Sequence, residues 1–200
     1  WAALPIFDYV TNTANGAINT YKVEYYQGTT KLGESSHTYG TYKTLTAYSG
    51  TAPDSWSFSG WGTTTLATTR TYTDEENVRN LTTTNNGTVK LYAIFERTIN
   101  VHSGVNKATN NSRTQYYNPY STSRVTSITL ASPVTVSSWT ALGYRTDTTA
   151  STSTQSAGSV TPAYNTKPTY YAVYSRSYTA NFYSGVSKGT TKTVESDTKY

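Results

Sequence analysis

Apolar and polar positions alternate along this chain in short stretches, and the stretches recur. Residues 21–27 read Tyr-Lys-Val-Glu-Tyr-Tyr-Gln, with Val23 and Tyr25 on one side and Lys22, Glu24 and Tyr26 on the other. The counterparts of Val23 and Tyr25 are Ile99 and Val101, and then Ala180 and Phe182. Period two with one apolar face predicts a half-buried strand at the start of each copy. Gly28, Gly104 and Gly185 follow these stretches, each with a lysine three positions on (Lys31, Lys107, Lys188). They signal a turn, with glycine free to take a positive φ. Each copy closes on Leu91-Tyr92-Ala93-Ile94-Phe95 or Tyr170-Tyr171-Ala172-Val173-Tyr174. Tyr92 and Ile94 lie on one face, and Leu91, Ala93 and Phe95 on the other. A stretch apolar on both faces predicts a central strand covered on both sides. Asn86-Gly87 ahead of it signals a tight turn.

Between these ends lie Trp56-Ser57-Phe58-Ser59-Gly60-Trp61 and Trp139-Thr140-Ala141-Leu142-Gly143-Tyr144. Trp61 is out of phase with Trp56 and Phe58, and Gly60 stands where a bulge would reverse the facing. A second strand is expected over residues 38–48, and over 124–130 in the next copy, with Pro53 and Pro133 in the linkers beyond. Thr73 and Glu76 have the spacing of a capping box, with Val78 and Leu81 following at helical intervals. This predicts one helix of about two turns. The second copy has Ala157 to Pro162 in this region, which reads as coil.

Three motifs recur in one order at intervals of about 80 residues, which predicts a tandem array. Residues 1–20 are an N-terminal segment in which Leu4-Pro5-Ile6-Phe7 echoes the closing strand, as if ending a preceding repeat, with a turn at Asn15-Gly16. Residues 21–98 are repeat 1 and 99–177 repeat 2. Residues 178–200 are the start of an incomplete repeat 3. A chain beginning at Trp1 reads as a processed product or a fragment. Each complete repeat is long enough for a modest core of its own, so the expectation is beads rather than thin solenoid turns. Recurrence assigns Trp56, Phe58, Trp61, Tyr92, Ile94, Trp139, Tyr144, Tyr171 and Val173 to that core.

Thr, Ser, Tyr and Asn dominate, helix formers are scarce, and only 14% of residues are charged, so the fold class is mainly β. The absence of Cys excludes a disulfide framework and a thiolate zinc site. Lack of oxidisable sulfur suits an exposed extracellular protein of an organism that does not use disulfides there. The longest apolar run is too short to span a bilayer. A net charge of +5 is spread without clusters interleaved with aromatics, so nucleic acid is not the expected partner.

The order of strand and Gly turn, then Gly-Trp, then Leu-Tyr-Ala resembles the Listeria–Bacteroides repeat, or internalin B-type repeat. Phe58, Gly60 and Trp61 match its first block, and Leu91-Tyr92-Ala93 its ending, with Phe95 in place of the final Trp. Gly143-Tyr144 and the ending from Tyr170 to Tyr174 are the more divergent second copy. The resemblance spans residues 21–200. It implies tandem small β-grasp-like domains, with at most one short helix per repeat, on Gram-positive or Bacteroidetes surface proteins. Such units are spacers or adhesive modules, and the family contributes no catalytic residues.

The residues themselves offer little chemistry. His37 and His102 fall at non-equivalent positions, with no thiol to activate, and read as structural or solvent-exposed. The acidic run Asp74-Glu75-Glu76 suits a helix N-terminus and lacks the ligand spacing of a calcium loop. Lys90 is the one lysine placed for an isopeptide bond to a buried Asn. Tyr116, Tyr117 and Tyr120, around the turn signal Asn118-Pro119, are not repeated and are expected on a loop as candidate interaction residues, together with Phe182. The expected role is therefore an extracellular, non-enzymatic cell-surface stalk or adhesive spacer without metal or cofactor. Its partners would be proteins, through self-association or a host or cell-surface protein, or a surface glycan. One alternative is a filament subunit assembled by inter-chain strand addition. Another is a carbohydrate-binding module using exposed Tyr and Trp.

Overall fold

The computed structural model describes residues 13–14, 17–121, 127–184 and 189–199, with side chains over 17–121 and 127–179. Strands predominate among the described residues and helix is limited to one short turn, so the fold is mainly β. The described residues form two compact units. Unit 1 comprises Trp1–Arg97 with Tyr116–Arg124, and unit 2 comprises Thr98–Gln115 with Val125–Tyr200. No helix among the described residues is long and apolar enough to cross a membrane.

Unit 1 begins with a small antiparallel pair, β1 (Thr13–Ala14) with β2 (Ala17–Ile18). Asn15 and Gly16, and the Leu4-Pro5-Ile6-Phe7 echo, lie outside the described residues. Then come β3 (Thr20–Gln27), β4 (Thr30–Thr38), β5 (Lys43–Thr44), β6 (Ser57–Gly62), β7 (Asn77–Val78) and β8 (Gly87–His102). β3 and β4 form an antiparallel hairpin from Thr20↔Thr38 to Gln27↔Thr30. It turns at Gly28, whose φ of 60° suits a residue without a Cβ. β3 also pairs with β8 in parallel, from Tyr21↔Gly87 to Tyr26↔Tyr92. β6 lies antiparallel on the other side of β8. The sheet order is β4-β3-β8-β6, which places the first and last strands of the unit side by side in its middle. β5 and β7 form a separate antiparallel pair.

Three expectations need correction here. The second strand is Thr30–Thr38 rather than 38–48. Its apolar content is too low for alternation to reveal it, and backbone pairing with β3 holds it instead. Half of the capping box forms, Thr73 N–H donating to Glu76 Oε2 at 2.7 Å, while the Thr73 hydroxyl donates to the same oxygen at 3.1 Å. No helix follows, because Glu75 and Asn80 adopt left-handed φ of 53° and 56° and Val78 pairs with Lys43. Lys90 is solvent-exposed and lies over the Tyr26 ring, so it is not placed for an isopeptide bond.

Unit 2 repeats the arrangement. Residues 98–102 of β8 lead through a 3₁₀ turn (Val105–Lys107) to β9 (Arg113–Tyr117), followed by β10 (Ile128–Leu130), β11 (Thr140–Arg145), β12 (Gly158–Val160), β13 (Thr169–Ser184) and β14 (Gly189–Lys199). β13 runs parallel to β8 from Thr169↔Asn100 to Tyr171↔His102, and β11 is antiparallel to β13. β9 pairs with β8, which gives the order β9-β8-β13-β11. β10 and β12 form the small antiparallel pair. β14 continues the sheet beside β13, from Tyr174↔Lys199 to Ser184↔Gly189. The backbone of this C-terminal segment is thus ordered by pairing within its own chain. Residues 185–188, with the third Gly-x-x-Lys, are outside the described residues.

The bulges match as well. The β6–β8 register shifts between Phe58 and Gly60, where Gly60 has φ 146°. The β11–β13 register shifts between Ala141 and Gly143, where Gly143 has φ 125°. The shift turns Trp61 to the same side as Phe58, their rings 5.0 Å apart. Immediately after it, Trp61 N–H donates to Tyr72 O at 2.8 Å, and Tyr144 N–H donates to Gln155 O at 2.7 Å.

Tyr21, Val23, Tyr25, Leu45, Trp61, Leu91, Ala93, Ile94 and Phe95 are buried in unit 1, joined by Trp56 and Tyr92. Ile99, Val101, Ile128, Leu130, Tyr144, Tyr170, Ala172 and Tyr174 form the core of unit 2, and Val173 is fully buried. Three residues assigned to the core are only half-buried: Phe58, Trp139 and Tyr171. Phe58 stacks on Tyr48 at 4.1 Å, Trp139 lies beneath Arg176, and Tyr171 stacks on His102. Each is partly covered by a polar or amphipathic side chain, although Phe58 also meets Trp61 and Phe95, and Trp139 packs against the unit 2 core.

Candidate interaction surface

On β3 the outward residues Lys22, Glu24 and Tyr26 face solvent beside the outward residues of β4 and β8. Lys31 Nζ donates to Glu24 Oε1 at 2.8 Å and to Glu34 Oε2 at 2.6 Å, and Lys22 Nζ donates to Glu34 Oε1 at 2.7 Å. Tyr26 O–H completes the ladder by donating to Glu24 Oε2 at 2.8 Å. The two lysines pull the Glu34 carboxyl down to about 2. Hydrogen bonds from Lys31 and then Tyr26 lower that of Glu24, and the Glu24 carboxylate raises the Tyr26 phenol. The two carboxylates stay ionised at neutral pH and face two lysines, while the Tyr26 phenol stays protonated, so the ladder offers a ligand little net charge. Its pairs are exposed and contribute little stability.

Aromatic rings extend this face. Tyr26 and Tyr92, opposite one another on β3 and β8, have ring centroids 5.7 Å apart, and Tyr120 meets Tyr92 edge-on at 5.5 Å. Lys90 Nζ lies 5.5 Å from the Tyr26 centroid. The equivalent rung in unit 2 pairs His102 with Tyr171, stacked at 5.4 Å, with Lys107 Nζ 5.4 Å from the Tyr171 centroid. An aromatic pair with a lysine over one ring therefore crosses the parallel strands in both units.

The candidate interaction residues separate. Tyr116 and Tyr117 belong to β9 rather than to a loop. Tyr117 is 5% exposed and packs on Trp56 at 5.5 Å, so it is a core contact of unit 1. Asn118 is also buried and donates from Nδ2 to Thr65 O at 3.2 Å and to Ala67 O at 3.0 Å. Tyr116 and Tyr120 are 39% and 43% exposed. Phe182 lies on β13 opposite Thr191, and its side chain is not among those described. Residues 116–121 thus act as a strap across unit 1. A local turn signal cannot disclose it, because its partners lie about 50 positions earlier.

His37 is buried. It stacks on Tyr21 at 5.4 Å and places Nε2 2.9 Å from Ser35 Oγ. Ser35 in turn meets Tyr25 O–H at 2.9 Å. Burial, and then the nearby Lys43, lower its pKa. His102 is half-buried and hydrogen-bonds Lys107 O through Nδ1 at 2.9 Å. Ser35 Oγ and Lys107 O, not carboxylates, are the hydrogen-bond partners of the two imidazoles. Among the described residues no three His, Asp or Glu side chains converge as metal ligands. A cleft of ≈ 260 Å³ is lined by Gln27, Thr30, Leu32, Gly50 and Thr51. It holds no charged or aromatic group to orient a ligand.

No protein-family model, no curated protein and no solved structure matches the chain.

Proposed function

We propose that the chain is an array of small β-grasp-like units serving as a non-catalytic, extracellular stalk or adhesive spacer on a bacterial cell surface. The carrying observation is the repeated architecture. Both units use one strand order, with second, first, last and third strands side by side, the first and last parallel. Both carry a glycine bulge and a detached two-stranded pair at corresponding places. Repetition of a scaffold extends reach, whereas a ligand site needs only one copy. The likeness of Phe58, Gly60, Trp61 and Leu91-Tyr92-Ala93 to Listeria–Bacteroides repeats supports the same role.

Strand addition into a filament is the second role. It draws on residues 176–184 of β13, which among the described residues pair only with β14. Light scattering on native material separates the two. A monomer, 21.9 kDa for this chain, fits the spacer, and an open-ended assembly fits the filament. Labelling of intact cells by an antibody against the chain tests the surface role, and signal only after lysis would reject it.

A further inference from the structure

The first and last strands of each unit are neighbours and run parallel. In unit 1, β3 enters at Thr20 and β8 leaves towards Arg97, paired from Tyr21↔Gly87 to Tyr26↔Tyr92. In unit 2, the entering residues 100–102 pair with residues 169–171 of β13. Tension on the chain pulls an entering strand backwards and a leaving strand forwards. With parallel neighbours, those two pulls slide one strand along the other. Every rung between them is loaded at once, and none can open ahead of the rest. An antiparallel hairpin pulled at its open end, such as Thr20 against Thr38, peels rung by rung instead.

Sliding is opposed by side chains as well. A slip of one residue, ~3.3 Å, would turn every side chain of the moving strand to the opposite face. Tyr21, Val23 and Tyr25, all buried, would then exchange places with Lys22, Glu24 and Tyr26. At the end of each parallel interface stands an aromatic pair on a single rung, Tyr26 on Tyr92 and His102 on Tyr171.

We propose that these units bear tension: each is a shear-loaded clamp that keeps the chain folded while its two ends are pulled apart. This deepens the spacer role and rests on it, since a spacer between an anchor and a held partner is loaded end to end. Unit 1, with six paired residues per strand at the interface against three in unit 2, is the stronger clamp.

The test is single-molecule pulling on the full chain in different directions. The chain has no cysteine, so two introduced thiols give unique handles. Thr20→Cys with Thr98→Cys loads unit 1 in shear, and Thr20→Cys with Thr38→Cys peels its hairpin. Thr98→Cys with Ser177→Cys loads unit 2 in shear. Matching thermal melts establish that all three variants are folded alike. Rupture at severalfold higher force for 20/98 than for 20/38 is expected, with 98/177 between them. Adding Tyr26→Ala should lower the 20/98 force and leave the 20/38 force unchanged, because peeling starts at the other end of the hairpin. Equal forces in the 20/98 and 20/38 directions would overturn the clamp. The surface role is read separately by labelling intact cells, so either can fail while the other stands.

Discussion

The guanidinium carbon of Arg97 lies 4.5 Å from the centroid of the Trp56 ring. Arg176 stands 4.7 Å over Trp139 in the same way. The two pairs differ in surroundings. Arg97 is 2% exposed, and Tyr117 packs against the same Trp56, whereas Arg176 is exposed. Arg97→Ala should therefore destabilise unit 1 by about 2–3 kcal/mol, since it removes a desolvated cation–π contact and buried packing. Arg176→Ala should cost under about 1 kcal/mol at its exposed site. Urea melts compare the two, and equal losses would contradict the difference in burial.

Gly60→Ala and Gly143→Ala should each destabilise their own unit by about 1–3 kcal/mol. A Cβ at Gly60 would come within 2.3 Å of Tyr72 O, and one at Gly143 within 2.6 Å of Gln155 O. Both backbones also hold a φ that L-residues rarely adopt. Amide exchange would locate each loss. Weakening confined to residues near the substituted bulge is expected, and neutral substitutions would show that the bulges are not fixed by the glycines.

Acid should weaken unit 1 through His37. Its pKa is lowered by burial and then by Lys43, so below its ordinary value of 6.5 the unfolded chain takes up the proton more readily than the folded one. Stability from this group is complete above about pH 6.5 and declines as pH falls below it. The facing groups, Tyr21, Ser35 and Lys43, supply no anion to compensate. Melts between pH 7.5 and about 5 should show the decline in the parent chain and a reduced slope in His37→Gln. An unchanged slope would assign the acid sensitivity elsewhere.

Trp61→Ala or Ile94→Ala should cost about 2–5 kcal/mol, as large core truncations do. His102→Ala should cost less, since that ring is half-buried. His37 belongs with the core rather than with His102, a distinction that only its 1% exposure reveals. A chemical-denaturation series on these three variants and His37→Gln should rank them accordingly.

The alternation of Val23 and Tyr25 against Lys22 and Glu24 is a local signal, and β3 follows it. The phase conflict between Phe58 and Trp61 likewise marks the bulge at Gly60. β4 is not legible, because backbone pairing with β3 holds it and its sequence barely alternates. Thr73 and Glu76 do meet, through one of the two capping-box bonds. Yet a cap favours a helix without compelling one, and Glu75, Asn80 and the Val78 pairing decide against it. Tyr117 misleads for a different reason. The sequence around it reports a turn, while its environment is set by Trp56, far earlier in the chain. Of the candidate surface, the exposed Tyr120 is foreseen from local sequence. The Tyr26–Tyr92 and His102–Tyr171 rungs depend on parallel pairing across more than 60 residues, which no local pattern encodes.

The strap has a consequence for dissection of the molecule. A fragment cut at the repeat boundary, residue 98, would carry every strand of the first sheet yet leave Trp56 and Tyr92 without the tyrosines that cover them. It would also strip Thr65 and Ala67 of the amide that binds their carbonyls. One extended to residue 124 keeps all of these. The inheritable module is thus longer than the period of the sequence, since unit 1 takes in residues 116–124. Grafting this sheet into a foreign protein would succeed only with residues 116–121 carried along to cover it.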